Sequence, residues 1–307
     1  MNDIVLALGG GGVKGYAHIG VLRVLEQEGF RIRAISGTSA GGMIGSAYAA
    51  GFSPDEIEAC MLQMDQGKLY GRQPGDGPSM LGLAGVVELL QRMLGEITFE
   101  DLLIPLAMTA VNLETAELLA LRRGKLVDAV LATIAVPGVF PPRIWEGQLL
   151  IDGGVLDPVP VSLARYLAPD LPVVAVVLSP PVEEWVRPTP PRLLASLPFV
   201  NGYLSRLRIT RALDIFLRSI DIAGAKLTEL RLFVDQPEVI IRPTVPHIGF
   251  LDQVEISEVI RLGEQAARAA LPQVRNAMGW RARLSRRTAR INRQRAFHHW
   301  NYDNCPE

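Results

Sequence analysis

Ile4-Val5-Leu6-Ala7-Leu8-Gly9-Gly10-Gly11-Gly12-Val13-Lys14-Gly15 and, further along, Ile32-Arg33-Ala34-Ile35-Ser36-Gly37-Thr38-Ser39-Ala40-Gly41 are the two stretches that decide the fold. In each, a short apolar run enters a glycine turn, and helix-like sequence follows. Each therefore reads as a strand, a tight turn and a helix start. Such a turn aims backbone N–H groups and the positive end of a helix dipole at one point, a place suited to negative charge. The second turn carries Ser39 in a G-x-S-x-G frame, formed by Gly37, Ser39 and Gly41. There a nucleophile sits on a strained corner, and small neighbours let the chain pass closely. One turn suits a nucleophile and the other an oxyanion, so acyl transfer through a serine is the expected chemistry.

Outward from these turns the same alternation continues. Helices are expected from about Val13 to Glu28, from Ala40 to Ala50, and from Ser53, where Ser53-Pro54-Asp55-Glu56 looks like an N-cap, a proline at N1 and early acids. A glycine- and proline-rich loop over residues 66–78 precedes a mostly apolar helix from Ser79 to Leu94. Strands follow at Leu106–Val111, Glu117–Leu121, Leu149–Ile151 and Val173–Leu178, with helices at Val127–Ala135 and Val161–Leu167. The proline-rich stretch from Pro180 to Pro198 reads as a surface loop. An amphipathic helix is expected from Leu204 to Leu230 and a last short strand at Val239–Ile241. Asp252 to Glu255 resembles a capping box opening a helix to Ala270. Apolar strands alternating with helices predict an α/β fold: a largely parallel central sheet covered by helices on both faces, with a helical C-terminal region. Residues 4–178 form the expected catalytic core and 179–279 a helical extension completing the same domain. Residues 280–307 are a basic tail with seven arginines between Trp280 and Arg295.

Composition excludes other classes. A formal net charge of −1 argues against a nucleic-acid partner for the body. Cys60 and Cys305 make no disulfide framework, so a reducing, cytoplasmic setting is expected. The N-terminus shows no signal-peptide pattern, and no stretch of about 18 apolar residues suggests a membrane span.

Gly10, Gly12 and Gly15 also fit G-x-G-x-x-G, the dinucleotide turn. That reading expects an acid at the end of the second strand, where this chain has Ser36-Gly37-Thr38. A P-loop needs Gly-Lys-Ser/Thr, and here the order is Lys14-Gly15-Tyr16. The serine still needs a base. Asp152 ends a strand, and Gly153 and Gly154 let another loop approach it; Asp-Gly also makes ordinary turns. His247, in a proline-flanked loop, is the rival: Ser39, Asp152 and His247 follow the chain order of an α/β-hydrolase triad. His18 falls within a helix, and His298 and His299 in the basic tail.

Together the residues resemble the patatin-like phospholipase family, in its compact bacterial form related to neuropathy target esterase. The matching signatures are Gly10-Gly11-Gly12-Val13-Lys14-Gly15, Gly37-Thr38-Ser39-Ala40-Gly41 and Asp152-Gly153-Gly154. Ala135-Val136-Pro137-Gly138-Val139-Phe140-Pro141-Pro142 also looks like the family's segment before that aspartate. The resemblance covers roughly Ile4 to Leu178. It implies a Ser39–Asp152 dyad without histidine, an oxyanion hole built on Gly10, Gly11 and Gly12, and lipid esters as substrates, with no metal and no cofactor. Lysophospholipids or phospholipids come first as that lipid ester. The remaining readings are the Ser39–Asp152–His247 triad and a regulatory member of the fold with low turnover.

Three features bear on the lipid. The Ser79–Leu94 helix has little polar face and reads as a buried helix or as a surface that meets acyl chains. Lys14 reads as solvated near a helix start, with a lipid phosphate as the other option. The arginine tail reads as a solvated segment or as a peripheral contact with an anionic membrane surface.

Overall fold

The computed structural model describes residues 2–74, 76–181 and 203–279, together with Ala282 and Arg286. Its centre is an eight-stranded sheet. The strands are β1 (Asp3–Leu8), β2 (Arg31–Gly37), β3 (Leu106–Asn112), β4 (Leu118–Leu121), β5 (Arg143–Trp145), β6 (Gln148–Asp152), β7 (Val173–Val176) and β8 (Val239–Ile241). The order runs β5-β6-β3-β2-β1-β7-β8, with β4 paired to β3. From β3 through β8 along this path every pairing is parallel, whereas β4, β5 and β6 join antiparallel. The helices are α1 (Ala17–Gln27), α2 (Ala40–Ala49), α3 (Pro54–Leu62), α4 (Ala84–Met93), α5 (Leu126–Thr133), α6 (Val161–Leu167), α7 (Tyr203–Asp235) and α8 (Ile256–Ala277).

Alternation along the central strands explains the two layers. In β1, Ile4, Leu6 and Leu8 enter the larger core, which α1, α2, α5 and α8 help to build. Val5 and Ala7 point the other way, into a smaller core with Val161 and Ala164 of α6 and Leu232 of α7. Successive side chains of a strand face opposite sides, so a strand covered on both faces reads as one continuous apolar run.

β3 is where the sheet prepares the site. Met108 pairs with Gly37 of β2 on one edge and Leu121 of β4 on the other. Ala110, two residues on, pairs with Leu119 of β4 and Asp152 of β6. β2 and β6 thus share one edge of β3, approaching from opposite directions and stopping tip to tip. The chain leaving Gly37 and the chain leaving Asp152 are brought together by that shared edge.

Several local expectations change. β5 is an additional strand: Glu146 and Gly147, at φ 50° and 78°, make a two-residue hairpin turn that folds it onto β6. The helix expected from Ser79 begins at Ala84, because Met80 and Leu81 donate their N–H groups to Gly138 and Val139. The expected start at Val13 is a 3-10 turn over Gly12–Tyr16, with Val13 N–H donating to Phe250 O at 3.2 Å. Asp252 does not cap α8: its carboxylate accepts from Gly249 N at 2.7 Å, and the N-cap is Glu255 with no side-chain bond. α8 runs past Ala270 through Pro272, which lies on the exposed face and, lacking an N–H, leaves the Arg268 carbonyl without its helical donor. Ser53, in contrast, caps α3 with a complete capping box to Glu56.

The proline-rich stretch lies mostly outside the described residues, and so does nearly all of the basic tail. Within the tail, Arg286 is buried and donates to Ala277 O at 2.8 Å at the end of α8. No helix among the described residues is long and apolar enough to cross a membrane.

Candidate active site

Ser39 stands between β2 and α2 at φ 54° and ψ −122°. A non-glycine residue rarely occupies this region, and such strain persists only where the surroundings hold it. Three threonines do so. Thr133 Oγ1 accepts from Ser39 N at 2.9 Å and donates to Thr109 O at 2.7 Å. Thr109 and Thr38 share a hydroxyl bond of 2.7 Å, and Thr38 Oγ1 donates to Asp157 O at 2.8 Å. Gly41 is required by crowding, since a Cβ there would lie 2.1 Å from Leu8 O.

Asp152 closes β6 and is 4% exposed. Its carboxylate accepts from Gly154 N at 2.7 Å, and the Ser39 hydroxyl faces it as a second donor group that favours the charged form. Burial pushes its pKa up to about 6, while these two donors hold it down. At neutral pH it is ionised, yet its proton affinity exceeds that of an aspartate in water.

The first glycine turn lies against this pair: a Cβ on Gly10 would come 3.2 Å from Ser39 Cβ. The three glycines are not equivalent. Gly10 N–H donates to Pro158 O at 2.9 Å and is therefore engaged, contrary to its expected place among the oxyanion donors. Gly11 and Gly12 N–H have no acceptor among the described residues. Gly12 must be glycine, being at φ 58° with Phe250 O only 2.2 Å from where its Cβ would stand. His18, fully buried in α1, faces Gly9 O at 2.8 Å through Nε2. Burial lowers its pKa to about 4, so the neutral ring donates this bond and steadies the turn.

One segment ties both turns to α7. The Asp157 carbonyl accepts from Thr38, and the adjoining Pro158 carbonyl accepts from Gly10. The Asp157 carboxylate is held by Arg231 of α7 through Nη2 at 2.8 Å and Nε at 3.2 Å. Sequence reasoning missed this arrangement and the threonines. The available hints were Thr109, polar in the middle of an apolar run, and Asp157 placed shortly after Asp152-Gly153-Gly154.

His247 is exposed and interacts electrostatically with Glu258 of α8. It does not line the space around Ser39, so the structure does not assemble the Ser39–Asp152–His247 triad. Lys14 is also not where expected: it is half-buried and lines the cleft.

Two cavities meet at Ser39. A cleft of about 290 Å³ holds Ser39, Asp152, Gly11 and Lys14, with α7 as its far wall. A second space of about 70 Å³ reaches the opposite way, between Met43, Leu69, Leu83, Val86, Leu89 and Phe140. α4 is thus a packed helix and also a cavity wall. Phe250 borders both spaces. No group of three or more metal-ligating side chains occurs among the described residues.

A family model described as patatin-like phospholipase matches residues 6–165. An uncharacterized NTE family protein of Mycobacterium tuberculosis is 32% identical over 288 residues, covering 88% of this chain and 46% of that protein. Another from the same organism is 34% identical over 172 residues, covering 55% and 48%. The chain spans about half the length of these curated relatives. The patatin-like phospholipase domain-containing protein 6 of Mus musculus is 29% identical over 173 residues, covering 54% of this chain and 13% of that protein. Among solved structures, VipD from Legionella pneumophila aligns over 89% of this chain and 67% of its own with a TM-score of 0.53 and 14% identity, a likeness of fold.

Proposed function

Because the chain belongs to the patatin-like phospholipase family, we propose that it is a serine hydrolase of lipid carboxylic esters, phospholipids or lysophospholipids, acting through Ser39 and Asp152. The observation that carries the proposal is Ser39 on a strained corner facing the buried carboxylate of Asp152 in one cleft, beside the two unengaged amides of Gly11 and Gly12.

Ser39 Oγ attacks the ester carbonyl carbon while its proton passes to Asp152. The proton moves in concert with attack, so no free alkoxide forms. The oxyanion that develops is met by Gly11 and Gly12 N–H. One such donor is worth roughly 3 kcal/mol in a serine hydrolase. Protonated Asp152 then gives its proton to the leaving alcohol, which departs and leaves the acyl group on Ser39. Water attacks that ester next, losing a proton to Asp152, and the proton returns to Ser39 as the fatty acid leaves. The apolar space beside Met43, Val86 and Leu89 suits the acyl chain, and the wider cleft suits the alcohol side. The arginine-rich segment past Trp280 supplies charge for peripheral attachment to anionic bilayers, at about 1 kcal/mol per basic residue near the surface.

A base of this kind has a signature in pH. Asp152 must be ionised to accept the proton, and its pKa stands at about 6. The kcat/KM of a soluble short-chain ester is therefore expected to fall about tenfold per unit below pH 6. A pH–rate profile flat down to pH 4 shows that no base titrating near 6 takes the proton and counts against this reading.

Filling the apolar space separates chain lengths. Val86→Phe places a ring where the acyl chain is expected. It lowers kcat/KM for a long-chain ester about tenfold relative to a short-chain one, the order expected for losing one good apolar contact region. Equal loss on both substrates removes the acyl chain from this space. The proposal as a whole is tested by mass spectrometry of products from mixed phospholipids, lysophospholipids and acylglycerols, comparing wild type with Ser39→Ala. Fatty acid release that depends on Ser39 supports it, and a protein that releases none from any of them refutes it.

A further inference from the structure

Lys14 and Asp221 line the same cleft as Ser39 and Asp152, Lys14 from the glycine-turn side and Asp221 from α7. Both are largely withdrawn from water, and each feels the other's charge. Even so, no ion pair closer than 4.0 Å closes between them. Asp252 adds a weaker attraction on Lys14, but its carboxylate is already bonded to Gly249 N. The Lys14 ammonium has no hydrogen-bond acceptor among the described residues. A third group completes the picture: Ser179 Oγ, also in the cleft wall, is buried and without a partner among the described residues.

Desolvated charges are costly unless they are paired and bonded, and buried hydroxyls normally find partners. Here a cation and an anion line one water-accessible space, a hydroxyl is buried in its wall, and their own structure satisfies none of them in full. A ligand that satisfies the set carries an anion for Lys14 and Ser179 and a cation for Asp221. None of the three borders the apolar space beside α4, so they lie on the alcohol side of the ester.

We infer that this end of the cleft recognises a zwitterionic lipid headgroup, with the phosphodiester held by Lys14 and Ser179 and the ammonium group beyond it held by Asp221. The inference rests on the hydrolase reading for the position of the ester, and the charge set itself does not depend on it. α7 then does two things. Arg231 braces both catalytic turns through Asp157, and Asp221, farther up the same helix, selects the substrate.

The test compares three substrates with one acyl chain: lysophosphatidylcholine, lysophosphatidylglycerol and monoacylglycerol. The first carries phosphodiester and ammonium, the second phosphodiester alone, the third neither. Asp221→Asn is expected to lower the kcat/KM ratio of the first to the second about tenfold or more. Lys14→Met is expected to lower the ratio of either phosphodiester to monoacylglycerol by a similar factor. Ratios that move less than twofold overturn the inference, and so does a parallel fall on all three substrates, which makes the pair a structural clasp. Binding is read separately with soluble glycerophosphocholine and Ser39→Ala protein by NMR titration. Binding that is lost when Asp221→Asn is added supports the inference even if wild type hydrolyses no ester, in which case only the hydrolase reading fails. Ester hydrolysis with glycerophosphocholine binding that ignores Asp221 is the opposite case, and sinks this inference alone.

Discussion

Ser39→Ala is expected to lower ester hydrolysis by about 10⁴-fold or more, the scale set by removing the nucleophile of a serine hydrolase, if the proposed function holds. The loss falls on the chemical step, since the oxyanion turn is built from other residues and Ser39 is one wall residue among many in each cavity. The protein stays folded for a stated reason. Ser39 N still donates to Thr133 Oγ1, the surrounding threonine network is intact, and alanine occupies the same strained backbone with no added bulk. What the variant loses is one donor to Asp152, whose pKa then rises further in its buried position. A fluorophosphonate probe read by intact-protein mass spectrometry, beside thermal unfolding, checks both halves. Labelling that persists in a folded Ser39→Ala protein places the nucleophile elsewhere.

Asp152→Asn has the second largest expected effect, a fall in turnover of about 10³-fold or more, as expected when a catalytic unit loses its base. Asparagine keeps the shape. Its oxygen still accepts from Gly154 N–H, but its amide cannot take the Ser39 proton. Stability moves the opposite way to activity. The folded pKa of Asp152 is raised above its unfolded value, so its protonated form contributes stability that is fully present below about pH 3.8 and lost as pH rises through about 6. At neutral pH the ionised group is a burden, and a neutral asparagine relieves it, by up to about 3 kcal/mol on the scale of such a shift. Turnover with a short-chain ester and chemical denaturation at pH 7.5 measure the two effects. His247→Ala is the companion variant. His247 is exposed and outside both cavities, so most activity is retained. A dead His247→Ala protein beside an active Asp152→Asn one restores the triad.

The two strand–turn–helix corners and Ser39 were legible in the sequence because their causes are local. Gly41 has no room for a side chain beside Leu8 O, and Gly12 sits at positive φ; a run such as Gly37-Thr38-Ser39-Ala40-Gly41 announces such a corner wherever it stands. The buried strands β1 and β7 were legible for the same reason, as uninterrupted apolar runs. The Ser53 cap of α3 was legible too, since every group it uses lies within four residues. The similar pattern at Asp252 misled, because Gly249 N–H competes for the carboxylate and wins.

Partners remote in the chain were not legible. Gly10 looks like Gly11 and Gly12 until Pro158 arrives and takes its N–H. Lys14 looks solvated until α7 closes over it and brings Asp221. β5 is three residues long and exists only because β6 offers it an edge. Residue order alone determined which corners this chain can make and which side chains stand on them. Tertiary structure alone decided which amides are left free and which charges lose their water, and it keeps His247 away from the pair that the family resemblance already implied. Backbone geometry is set by sterics within a few bonds, whereas hydrogen bonding and desolvation depend on whatever the fold brings close, and β3 brings the ends of β2 and β6 together along one edge.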